Sequence, residues 1–126
     1  MSKNETTPHT FAFAYTLQRG FSGPINIISF DSITKKLKRN NTIIKELGEA
    51  EENNLRQTFS SNGFFDVNTF FYPGTGSADS IQHSLLATMD GKGACVIWNS
   101  DSVNIPTSIV KIGDVIGGHG PVGPGG

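Results

Sequence analysis

Few residues in this chain are of a type that does covalent or metal chemistry. The 126 residues include three histidines and one cysteine. His9 lies in the polar leader "MSKNETTPHT" and His119 opens the terminal run "HGPVGPGG", both segments expected to be disordered. His83, in "SIQHSLLATMD", falls on the apolar side of an alternating segment. A single histidine in that position reads as a satisfied core-edge residue rather than a base or a ligand. There is no HExxH, no pair of cysteines and no second histidine at ligand spacing, so no metal site is expected. Cys95 and His83 are conceivable as a thiol and base on adjacent strands. However, "GKGACVIW" reads as a buried strand with nothing nearby to lower a thiol pKa. "GTGSAD" has the glycines of a phosphate loop but lacks the Gly-Lys-Ser/Thr ending and runs into a strand. The expectation is a chain without catalytic residues, bound metal or cofactor.

Binding remains, and two glycine-bearing loops are its candidates. In "LQRGFSGPINI" the turn Arg19, Gly20, Phe21, Ser22, Gly23, Pro24 sets a phenylalanine between two glycines, and the proline restricts the exit. In "PGTGSAD", residues 73–79, Thr75 and Asp79 are the polar side chains of interest. Phe21 is open to two readings: an exposed anchor, or a plug curled back into the core beneath a tight hairpin. Asp79 is either an oxygen donor to a partner or a carboxylate that caps its own turn.

The elements that carry these loops follow from periodicity. "TFAFAYTLQ" alternates with period two, placing Phe11, Phe13, Tyr15 and Leu17 on one side, and the β-branched run "INIISFD" should pair with it as a hairpin. "SITKKLKRNN" reads as a polar connection and "TIIKEL" as a possible short strand. Beyond Gly48, "EAEENNLRQTFSS" is a helix, with Glu49, Glu51 and Glu52 at the positive end of its dipole and Leu55 and Phe59 on one face. Gly63 is its C′ residue, with Phe64 or Phe65 folding back on its end. "NTFFY" is strand-like. "SIQHSLLATMD" and "ACVIWNS" form a second hairpin across "GKG", with Ile81, His83, Leu85, Ala87 and Met89 on one face. The last helix starts with Pro106 in its first turn, carries Ile109, Ile112 and Ile116, and stops at Gly117 and Gly118. The expected architecture is a single small α+β domain over 10–116. An antiparallel sheet of about four strands in two hairpins packs with two helices, between a disordered leader at 1–9 and a flexible tail at 117–126.

Composition narrows the setting. Ten Lys plus Arg against eleven Asp plus Glu give a net charge of −1, which favours neither nucleic acid nor an anionic membrane. "KKLKR" at 35–39 faces Glu46, Glu49, Glu51 and Glu52 in sequence and reads as a solvated turn beside a helix start. With one cysteine, no apolar signal segment and no run long enough to span a bilayer, a cytoplasmic location is expected.

Three stretches, "LQRGFSGPINI", "LGEAEENNLRQTFSSNGFFDV" and "ADSIQHSLLATMDGKGACVIWNSDSVNIP", resemble in order and spacing the small emfourin-type inhibitors of protealysin and related thermolysin-like metalloproteases, over roughly residues 11–116. The resemblance implies an α+β fold, a cytoplasmic setting and a thermolysin-like metalloprotease as partner. It implies no catalysis and no metal in the inhibitor itself. The cleft of such a protease offers an open zinc position and an apolar pocket. A blocking protein therefore needs a rigid turn presenting an anchor, for which Phe21 is suited, and an oxygen for the zinc, for which Asp79 or a nearby carbonyl is suited. The alternative is an interaction module of the same fold, with no catalysis and a non-protease partner. Oligomeric state is not legible at this level.

Overall fold

The computed structural model describes residues 10–20, 23–76 and 80–119. Among them the chain forms β1 (Phe11–Arg19), β2 (Ile25–Asp31), β3 (Lys36–Arg39), β4 (Thr42–Glu46), α1 (Glu49–Ser61), a 3₁₀ turn (Phe64–Asp66), β5 (Phe71–Tyr72), β6 (Ile81–Met89), β7 (Lys92–Asn99) and α2 (Thr107–His119). The strands make one sheet in the order β4-β3-β2-β1-β6-β7-β5. All neighbours are antiparallel except β5, which runs parallel to β7 through Phe71↔Ile97 and Tyr72↔Trp98.

Register turns the period-two pattern into a two-faced sheet. Phe13 lies opposite Phe30 on β2 and Ala87 on β6, Phe30 lies opposite Leu37 on β3, and Leu85 lies opposite Val96 on β7. These residues are buried on one face, against Leu55 and Phe59 of α1 and Ile109, Ile112 and Ile116 of α2. Burying large apolar side chains in this way is the main favourable term in folding. The heart of the core is aromatic: Phe59 sits edge-on to Phe11 at 5.5 Å and to Phe64 at 5.2 Å between centroids. Among the described residues, the opposite face of the sheet carries no helix.

Local chemistry explains the ends of α1. The Gly48 N–H donates to the Glu51 carboxylate at 3.2 Å, the returning half of a capping box. Gly63 has φ +68°, the left-handed geometry expected of a residue that ends a helix. Phe64 then folds fully under Phe59. Burial in the first turn of α1 pushes the Glu52 carboxyl up, but hydrogen bonds and charge from Lys35 (2.6 Å) and Arg56 (3.1 Å) outweigh it and hold the group below its ordinary value.

The α+β class holds, and the detail departs from the sequence reading in several places. The sheet has seven strands, not about four, and it is mixed. The supposed polar connection at 32–41 contains β3, because Leu37 alone of its residues is fully buried while its lysines pair outward. Within the basic run, Lys36 meets Glu46 of β4 at 3.1 Å and Lys35 meets Glu52 of α1 at 2.6 Å, and residues 36–39 form a strand rather than a turn. Pro106 caps α2 from outside, its carbonyl accepting from the N–H groups of Ile109 and Val110, and the helix begins at Thr107. It also continues through Gly117 and Gly118 to His119, since Ile116 is fully buried and carries the backbone onward. The leader at 1–9 and residues 120–126 of the tail lie outside the described residues.

Candidate functional site

The two loops singled out in the sequence meet at one end of the sheet. The last rung between β1 and β6 is Arg19↔Ile81, and just beyond it the Gly20 N–H reaches the Ser80 carbonyl at 3.4 Å. Arg19 and Gly20 therefore stand beside the start of β6, into which the 73–79 loop leads, while Gly23 and Pro24 lead into β2 on the other side of β1. Phe21 and Ser22, at the tip of the first loop, and Asp79, in the second, lie outside the described residues.

Both loops are fixed at their bases. Gly20 has φ +69°, a geometry that glycine adopts without penalty. At Gly23 a Cβ would fall 1.9 Å from the Arg19 carbonyl oxygen, so only glycine allows the chain to close so tightly. The Gln18 side-chain amide donates to the Gly23 carbonyl at 3.3 Å across the same turn. In the second loop, the Thr75 N–H and hydroxyl both donate to Asp101 Oδ2, at 3.1 and 2.5 Å. Gly74 passes so close that a Cβ would sit 2.1 Å from Asp101 Oδ1.

Asp101 belongs to a third segment, 99–102, that sequence reading passed over. The Ser102 hydroxyl donates to the Tyr72 carbonyl at 2.6 Å and accepts from the Asn99 N–H at 2.9 Å. The Ser100 hydroxyl accepts from the Ile81 N–H at 2.9 Å. The signal was present in "NSDS", a run of side chains that bond to nearby backbone, but which loop they would tie down depends on strand order.

On the helix-packed face of the sheet Tyr15, His83 and Trp98 form a stack of rings. His83 lies parallel to Trp98, at 4.9 Å between centroids and 4° between planes, and its Nδ1 is 2.7 Å from the Tyr15 hydroxyl. With the imidazole neutral and its proton on Nε2, that hydroxyl donates. Burial pushes the Tyr15 hydroxyl well above its ordinary value, and Asp114 adds to the shift. Burial lowers the His83 imidazole, with Asp114 opposing it. His83 is thus the satisfied core-edge residue that its position suggested.

A thiol–imidazole pair does not form. His83 shares the helix face with Leu85, whereas Cys95 lies opposite Leu86 on the other face, half-buried rather than buried. Among the described residues, no group of three or more His, Cys, Asp or Glu side chains is placed to hold a metal ion. Nor is any helix among them long and apolar enough to cross a membrane. What the loop end offers chemically is a stiff, uneven edge of backbone and hydroxyl groups suited to contact with another macromolecule. Compared with known protein families and with curated proteins, the sequence matches none of them.

Proposed function

We propose that this chain is a non-catalytic inhibitor of a thermolysin-like metalloprotease, and that the β1–β2 turn and the β5–β6 loop together occlude the protease cleft. The observation that carries this reading is the convergence of the two loops on one end of the sheet, through Arg19↔Ile81 and the Gly20–Ser80 contact. Their bases are anchored by Gly23 and by the Thr75–Asp101 clamp. Anchored loops lose little entropy on binding, which is what an inhibitor that must not be cut requires. In this reading Phe21 fills the apolar pocket of the protease, and Asp79 or a neighbouring carbonyl approaches its zinc. The protein acts in the cytoplasm on a protease made without export.

The test is inhibition of a panel of thermolysin-like proteases, protealysin and thermolysin included, with the protein followed on a gel. Dose-dependent loss of activity with the chain intact is expected, and Phe21→Ala should abolish it while keeping the wild-type thermal midpoint. Absence of inhibition across the panel, or cleavage within residues 19–24, rejects the reading in favour of an interaction module with a non-protease partner. A large fall in midpoint for Phe21→Ala assigns that ring to the core instead.

A further inference from the structure

We infer that the helix-free face of the sheet is a self-association surface on which two copies of this chain stack face to face. Its centre is Leu86, half exposed, ringed by small side chains: Ala14 and Cys95 are its lateral neighbours, and Ser84 and Thr88 flank it along β6. A large apolar knob standing among small residues leaves a hollow on either side of it. The next row across the face reads Ile27, Thr16, Ser84, Ile97, Phe71 through the pairings of five strands, with Ile27 37% and Phe71 50% exposed.

The pattern is self-complementary. A two-fold axis along the strands between β1 and β6 lays Leu86 of each copy over Ala14 of the other, and sets Ile27 over Ile97. Knob and hollow lie on the same surface, which is the requirement of an isologous contact and singles out a second copy as the occupant. Across β2, β1, β6 and β7 the two rows carry no charged residue, so stacking of these four strands buries no unpaired ion, and the first charge, Lys38 opposite Ser29 on β3, lies outside them. With about 3.3 Å of rise per residue and about 4.8 Å between strands, these four strands present roughly 500 Å² per copy, which makes the association a weak, concentration-dependent one. A standard stable interface takes about 800 Å² from each partner. Face-to-face packing of twisted sheets is also the ordinary way such faces are covered. The surface is separate from the loop end, so it does not depend on what the loops bind.

The experiment is sedimentation of the full-length protein over a roughly hundredfold concentration range. Wild type is expected at twice its 13.5 kDa mass at the upper end. Leu86→Glu should weaken association at least about tenfold with an unchanged circular dichroism spectrum. Should Leu86→Glu perturb folding, Thr16→Arg, at a half-buried polar position on the same face, decides the matter. A wild type that stays at single-chain mass throughout overturns the proposal, and if Cys95 then resists alkylation, the chain's own terminal segments or another protein cover the face instead. A dimer indifferent to both substitutions also overturns it, by placing the contact elsewhere.

Discussion

His83 shows how one side chain links the sequence to a measurable behaviour. Its ring is held between Trp98 and the Tyr15 hydroxyl, and burial keeps its pKa below the ordinary 6.5. The unfolded chain therefore binds the proton first as pH falls. The stability that neutral His83 contributes is complete above the unfolded pKa and is lost as pH drops through the folded one. Urea midpoints should fall on acidification below about 6.5, more steeply in wild type than in His83→Gln. Equal slopes would mean that carboxylates alone set the acid limb. Sequence pattern placed His83 on the apolar face correctly. It could not reveal the Tyr15 contact, which joins residues far apart in the chain through the β1–β6 pairing.

At the scale of elements, β3 is the instructive case. Four residues, three of them basic, do not read as a strand, and only the fully buried Leu37 opposite Phe30 fixes its register. Leu37→Ala should cost about 2–4 kcal/mol. In native-state hydrogen exchange, protection should be lost first in β3 and β4, while β1 and β6 keep theirs. Uniform loss across the sheet would show that the β3–β4 hairpin is not a separate unit. The two central hairpins and both helices were legible because each has its own local period. β3 and the two-residue β5 were not, because their pairing partners supply nearly all of their order.

For the whole molecule, Phe59 is the keystone. It is fully buried and touches Phe11 and Phe13 of β1 as well as Phe64 and Phe65 beyond α1. Removing it should cost about 3–5 kcal/mol, a large part of the roughly 5–15 kcal/mol that holds a domain together. Phe59→Ala is expected to lower the thermal midpoint sharply and to abolish partner binding and self-association together. A modest change would mean that the surrounding rings close over the gap. By itself the sequence determined the α+β class, the helix boundary at Gly63, the buried face of each long strand and the chemical character of the two loops, because these depend on neighbours within one turn or one hairpin. Only the tertiary structure decided that β6 pairs with β1, bringing Gly20 to Ser80. It alone set Cys95 and His83 on opposite faces, clamped Thr75 with Asp101, and, among the described residues, left a Leu86-centred face without a helix. Strand order is settled by the packing of the whole sheet against its helices, a long-range property that no local period encodes.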